Sequence, residues 1–336
     1  NPLALDGAKL LDVFWPQTMP ERFEELEIPL HVVATDFFAH RGMTFSRGDL
    51  RSAVAAFNGN GRRANCEEPE ARGYPFRIGI FCRSVMFEDA REGVAFQARG
   101  LRSAAQVYQP WRIVGELDGP ARLEAPGLSA LALDWSALRA SLRLASPLPE
   151  RLSVESRGLN VRLDEPGEAL PALFQADSLE AHLRPVGEDL DLAVRFSGLR
   201  PDAALTEGVA LPPLAGLVDL SLAGGALDGG LDGDLRGRSG TLRNLTVSTE
   251  SGAGVTLSGP VSVDENGLID AELQIVVREP LALAKILGDL APHARREIEL
   301  SAAAIAAMDG NAGMPLRVVK GEASLGFIPL GTVPPL

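Results

Sequence analysis

A serine acyl hydrolase needs a Gly-x-Ser-x-Gly elbow to expose its hydroxyl and an aspartate placed to take the proton. No Gly-x-Ser-x-Gly occurs in this chain. The aspartate half has two imitations, DGA at Asp6–Ala8 and DGG at Asp228–Gly230. The second lies in the Gly- and Asp-rich stretch Gly224–Gly237, beside Asp232 and Asp234, where Asp-Gly pairs are hairpin chemistry. Glu67–Glu68 and Asp189–Asp191 could do acid–base work only if burial or a close like charge raised a pKa. They sit in or beside predicted turns without apolar shielding and read as surface groups. Arg77 and Arg83 could hold an anion, but flanking a strand in an acidic protein they read as solvated or paired. Tyr108 and Trp111, in VYQPWRIV, could line a ligand groove and read first as core or turn packing. His31, His40, His182 and His293 stand far apart, with no Cys, His or Asp at ligand spacing, so no metal site is expected. Cys66 and Cys82 are sixteen positions apart (82 − 66 = 16). They either bridge adjacent strands in an oxidising compartment or stay as buried thiols. No catalytic residue and no cofactor is expected.

The composition narrows the partners. A hydrophobic fraction of 46% with 23% charged residues over 336 positions is that of a folded protein with a full core. A formal net charge of −13 argues against nucleic acid, because phosphate contacts need clustered Lys and Arg. No apolar run approaches the roughly 20 residues that span a bilayer. Beginning at Asn1 without a charged and then apolar leader, the chain reads as a processed or truncated form. Any anchor or signal peptide would lie outside it.

The elements that must position these residues change character along the chain. Residues 1–56 have an α/β texture. Ala8–Phe14 has helical spacing, Ile28–Phe38 is a dense apolar run of the kind buried in a parallel sheet, and RGDLRSAVAA reads as a helix. From Tyr74 onward the period becomes two. Leu190, Leu192, Val194 and Phe196 face one way, with Asp191 and Arg195 opposite. Ile269, Ala271, Leu273, Ile275 and Val277 oppose Asp270, Glu272 and Gln274. Shorter alternations recur at Leu152–Val154, Leu159–Leu163, Leu217–Leu222, Val255–Leu257 and Val261–Val263. Turn signals at Val186–Asp189, Glu265–Gly267 and Gly224–Gly237 separate strands. Trp135–Ala145 is a weak helix candidate that could continue as strand. The best helix runs from about Pro280 to Leu290 and breaks near Pro292. The fold class expected is mainly β (α+β): a long curved antiparallel sheet, half-barrel or sandwich-like, with one or two packing helices and a short incomplete α/β fragment at the N-terminus.

Two resemblances divide the chain. Within residues 1–56, FEELEIPLHVVATDFFAHRGMTFSRGDLRSAVAA resembles patatin-like phospholipases: a helix ending Phe-x-x-Leu, Ile-Pro-Leu, a strand closing on Ala-Thr-Asp, then a Phe-x-x-Gly turn into a helix. That family implies acyl hydrolysis by a Ser–Asp dyad. Here the nucleophile half, which should precede this segment, is missing, and Asp6–Ala8 lies on the wrong side of Ile28-Pro29-Leu30. Residues 57–336 resemble the uncharacterised bacterial domain-of-unknown-function family 2125. The likeness is carried by NGNGRRANCEEPEARGYPFRIGIFC, LRSAAQVYQPWRIVGELDGPARLEAPG and GEASLGFIPLGTVPPL. This resemblance implies a periplasmic or inner-membrane-tethered envelope protein, membrane association through an anchor outside this chain, and a structural disulfide between Cys66 and Cys82. The expected domains are thus 1–56, a truncated patatin-like fragment, and 57–336, an antiparallel β-rich envelope domain. Their junction is either a genuine fusion or an accident of the reading frame. A sheet with one good helix to cover it leaves apolar surface for an acyl chain or another lipid-sized ligand, or folds over on itself around a dry core.

Overall fold

The computed structural model describes residues 32–36, 41–45, 62–73, 77–106, 108–145, 149–164, 172–224, 235–307, 313–326 and 328–335. The chain divides into two compact units, Asn1–Ala172 and Leu173–Leu336. This division falls inside the segment read as one β-rich domain. The expected helices at Ala8–Phe14 and in RGDLRSAVAA, and most of the turn-rich stretch Gly224–Gly237 with its Asp228–Gly230, lie outside the described residues.

Unit 1 begins with β1 (Val32–Asp36) and β2 (Arg41–Phe45), which pair antiparallel with Val32 opposite Phe45 and Asp36 opposite Arg41. This corrects the parallel-sheet reading of Ile28–Phe38. A parallel pair needs a connection of a dozen residues or more, and only four positions separate β1 from β2 in sequence.

The next strands of unit 1 are β3 (Arg62–Glu67), β4 (Glu70–Arg72), β5 (Arg77–Cys82), β6 (Ser84–Asp89), β7 (Val94–Ala98) and β8 (Leu101–Gln106). They are followed by β9 (Gln109–Leu117), β10 (Ala121–Glu124), β11 (Leu131–Asp134), β12 (Ala137–Arg143) and β13 (Arg151–Leu163). Consecutive short strands are halves of longer ones. While β5 pairs with β4 and β8, β6 pairs with β3 and β7. In the same way β9 and β10 continue each other, and β13 takes β12 along its first part and β11 along its last. All these pairings are antiparallel, giving a meander.

The breaks within these long strands lie opposite one another. They fall at Glu68–Pro69, Arg83, Arg99–Gly100, Asp118–Pro120 and Trp135–Ser136, ending beside Gly158, whose φ is +60°. Backbone bonds cross this line. The Arg83 N–H donates to Glu67 O at 2.8 Å, Asp118 N–H to Gly100 O at 2.8 Å, and Ser136 N–H to Arg157 O at 2.9 Å.

The line also changes which residues face the apolar side. Before it in β13 the inward set is Leu152, Val154 and Ser156; after it the set is Leu159, Val161 and Leu163. Directly opposed residues share a face. One cross-strand row therefore runs Cys82, Leu101, Leu117, Leu138, Ser156, and another runs Cys66, Val85, Ala98, Ala121, Leu133, Val161. A disulfide joins Cys66 of one row to Cys82 of the other, with their Cα atoms 5.3 Å apart. At that end of the line, the two rows lie on the same side of the sheet.

Unit 2 holds β14 (Ala172–Val186) from its second residue onward, β15 (Asp189–Pro201), β16 (Leu214–Leu222), β17 (Ser239–Thr249), β18 (Gly254–Val263) and β19 (Ile269–Arg278). After two helices come β20 (Met314–Val319), β21 (Glu322–Leu325) and β22 (Ile328–Thr332). Each strand from β14 to β22 pairs antiparallel with the next. Helix α1 (Pro280–Leu290) starts on a proline, whose missing N–H costs nothing at a helix start. After a 3-10 turn at Pro292–Ala294 comes α2 (Arg295–Ala307). The helices pack on each other, with buried Gly288 against the Arg295 side chain. Trp135–Ala145, weighed as a helix, is the strand β12: its alternation of Leu138, Ala140 and Leu142 matches the rows of its neighbours, and pairing on both edges outweighs propensity. The architecture is mainly β with packing helices.

Candidate functional site

The apolar side of unit 2 is built from the alternations visible in the sequence. One row crosses seven strands: Ala181, Val194, Val218, Leu245, Leu257, Ile275 and Met314. A parallel row holds Leu183, Leu192, Leu220 and Leu242. Every residue of both rows is only half-buried. A third row, Pro185, Leu190, Leu222, Gly240, Val261, Ala271, Val318 and Ala323, is better covered, with Leu190, Ala271 and Val318 buried. Among the described residues no large side chain is fully buried. The face thus offers a continuous strip of apolar side chains, most of them branched aliphatics, still in contact with water.

The other side of this sheet is held by ions. Arg243 donates to Asp191 at 2.9 Å and to Asp219 at 2.7 Å, Arg184 donates to Asp191 at 3.0 Å, and the Ser221 hydroxyl donates to Asp191 at 2.9 Å. These donors, Arg243 foremost, hold the Asp191 carboxyl down at about 2. Asp191 was expected at the surface, yet its side chain is only 14% exposed. Asp189 and Asp191 leave the same polar face of β15, and it is the side chains of Arg184, Ser221 and Arg243 that cover Asp191. The Ser84 hydroxyl likewise donates to Glu67 at 2.8 Å, where Glu67 also faces Arg83 at 3.7 Å.

Unit 1 carries an open trough of about 640 Å3 on the polar side of β5, β8, β9, β12 and β13. One rim is a cross-strand row of Phe81, Arg102, Glu116, Arg139 and Glu155. Charges alternate along it. Arg102 grips Asp118 through two bonds of 2.7 Å, and Arg139 reaches Glu116 at 2.9 Å. The floor is made of small residues, including Gly79, Ala104 and Ser141. At Gly79 an added Cβ would lie 1.9 Å from the Ser103 carbonyl oxygen, so only glycine fits.

Arg83 is paired with Glu68 and Glu67, as expected. Arg77 lines the trough and has no ion pair among the described residues. Trp111 and Tyr108 are 48% and 67% exposed, which corrects their reading as packing residues. Tyr108 precedes β9 and Trp111 lies near its start, where the Leu144 N–H still donates to the Trp111 carbonyl oxygen at 2.8 Å. Cys66 and Cys82 form the disulfide that the family resemblance implied. His182 and His293 lie far apart in sequence, and no group of three or more potential metal ligands exists among the described residues. Asp6–Ala8 and Asp228–Gly230 lie outside those residues. No described helix is long and apolar enough to cross a membrane.

No curated protein matches the chain. The profile of a family described as "Uncharacterized protein conserved in bacteria (DUF2125)" matches residues 44–334. The match starts at residue 44 and runs through both units, and no comparison finds a patatin-like segment. Over this span the chain belongs to the DUF2125 family of uncharacterized proteins conserved in bacteria.

Proposed function

We propose that this protein is a non-catalytic component of the bacterial cell envelope, periplasmic or tethered to the inner membrane, that holds an acyl chain or similar apolar ligand on a curved β-sheet. The observation that carries this reading is the half-buried aliphatic strip of unit 2, continuous across seven strands. A sheet must cover its apolar side with helices, a second sheet or a ligand, and α1 and α2 bury mainly small residues. Covering one leucine of the strip is worth about 1.5–3 kcal/mol. The disulfide supports an oxidising compartment.

Native mass spectrometry of the purified full chain is expected to show co-purified lipid, and a hydrophobic dye is expected to bind and be displaced by fatty acid. Val218→Asp, in the middle of the strip, should abolish both. A protein that takes up neither lipid nor dye would end the reading. Acyl hydrolysis of the patatin type is the alternative. Labelling by a serine-directed fluorophosphonate, together with esterase turnover, would replace a binding role by that one.

A further inference from the structure

Unit 1 gathers arginines in a way its sequence hides. Arg112 of β9 lies directly opposite Arg143 of β12, and Arg143 lies directly opposite Arg151 of β13. The three guanidinium groups therefore leave the same face in one row across three adjacent strands, in a protein whose net charge is −13. Strands sit about 4.8 Å apart, so the outer two backbones are about 10 Å apart and long side chains can converge between them. Like charges placed opposite each other destabilise a sheet. Among the described residues Arg143 alone of the three has a compensating neighbour, an exposed Glu150 at 3.0 Å. Arg112 and Arg151 have no ion pair among the described residues. This contrasts with the row of Arg102, Glu116, Arg139 and Glu155 on the same face, where the signs alternate.

The row opens onto a cavity of about 280 Å3 lined by Gln109, Trp111, Arg112, Ser141, Arg143 and Arg151. It contains no carboxylate. Its donors are three forked cations, a hydroxyl and an amide, and this set is richer than a single carboxylate could satisfy with two oxygens. A phosphate group offers three or more acceptor oxygens to the same forks. The cavity is below the size usual for a whole drug-sized ligand and suits one charged group of a larger molecule.

We infer that Arg112, Arg143 and Arg151 form a binding site for a phosphate-bearing ligand, either a free phosphate ester or the headgroup of a phospholipid. The inference stands apart from the acyl-chain reading of unit 2. The test uses the full chain at low ionic strength and two probes: inorganic phosphate followed by calorimetry, and sedimentation with vesicles of phosphatidylcholine with or without phosphatidylglycerol. Wild type should bind at least one probe, with no affinity for phosphatidylcholine alone. The double variant Arg112→Gln/Arg151→Gln should bind it at least tenfold more weakly. Arg91→Gln, an exposed arginine in the β6–β7 turn, should bind like wild type. Binding of inorganic phosphate identifies a free phosphate ester, and retention only by phosphatidylglycerol vesicles identifies a headgroup. Because the exchange removes repulsion between exposed groups, the double variant should melt no earlier than wild type. Wild type that binds neither probe, or a double variant that binds as tightly as wild type, overturns the site. Lipid uptake by unit 2 should be the same in wild type and the double variant.

Discussion

Both units are antiparallel meanders built from hairpins, yet they keep their apolar side chains together by different means. In unit 2 the alternation runs almost unbroken: Leu190 to Phe196 and Ile269 to Val277 each hold one phase along the strand. The register slips between Phe196 and Leu199 in β15, between Leu242 and Leu245 in β17, where Arg243 bulges out to meet Asp191 and Asp219, and between Ala323 and Ser324 in β21. In unit 1 nearly every strand changes phase once, and the changes lie opposite one another. One unit maintains its face by regular pleating and the other by a coordinated line of interruptions, stitched by a disulfide. A sheet tolerates a phase error wherever its neighbours make the same one, because what must match is the row across strands.

This difference can be broken or sharpened by substitution. All three tryptophans, Trp15, Trp111 and Trp135, belong to unit 1, so their fluorescence follows that unit while amide exchange follows the other. The largest effect is expected from Cys66→Ser/Cys82→Ser. Loss of a bridge over so short a loop should lower the stability of unit 1 by about 3 kcal/mol and leave exchange in unit 2 unaltered. An equal loss of protection in unit 2 would contradict the division into two units. Next is Gly79→Val, which forces a branched side chain against the Ser103 carbonyl oxygen. A shift in the urea midpoint of the tryptophan signal equivalent to about 2–3 kcal/mol is expected.

In unit 2 the expected effects are smaller. Asp191→Asn should cost on the order of 1–2 kcal/mol. The wild-type carboxyl is depressed to about 2 in the folded protein, against about 4 when unfolded. Its contribution is therefore whole above pH about 4 and is lost as pH falls towards about 2. Amide exchange should show this acid-sensitive step in wild type and not in the variant. The smallest effect is expected at Leu245, in the middle of the aliphatic strip. Its truncation to alanine should cost about 1 kcal/mol in the ligand-free protein, below the about 2–5 kcal/mol of a buried leucine. A full core-sized loss in chemical denaturation would mean that the strip is already covered.

How much of this was legible in the sequence depended on how long one phase lasted. The strands of unit 2 could be read because Val186–Asp189 and Glu265–Gly267 close tight hairpins between long unbroken alternations. The Asp264 carboxylate confirms the second turn, accepting bonds from Asn266 N–H and Leu268 N–H at 2.8 Å. Unit 1 was harder, because a phase held for about six residues and then reversed looks like no period at all. Strands β3 and β4, ahead of Tyr74, escaped notice for that reason, and Trp135–Ala145 could pass for a helix. The arginine row had no signal in the sequence whatever. Arg112 and Arg143 are 31 positions apart (143 − 112 = 31), and only pairing across β9 and β12 makes them neighbours. The charge network around Asp191 was hidden similarly, since Arg243 reaches it across an intervening strand.

The aligned interruptions of unit 1 also constrain how such a chain can vary through time. Losing Arg83 alone would rotate Ser84–Asp89 half a turn relative to both flanking segments, so a deletion harmless in a loop becomes a fault that its neighbours would have to copy. Length changes should therefore collect at the hairpin tips, such as Ala90–Gly93 and Ala125–Ala130, and be rare along the transverse seam. Inheritance in this half of the protein acts on the spacing of several segments together, much as a zip tolerates a longer tape but not a missing tooth.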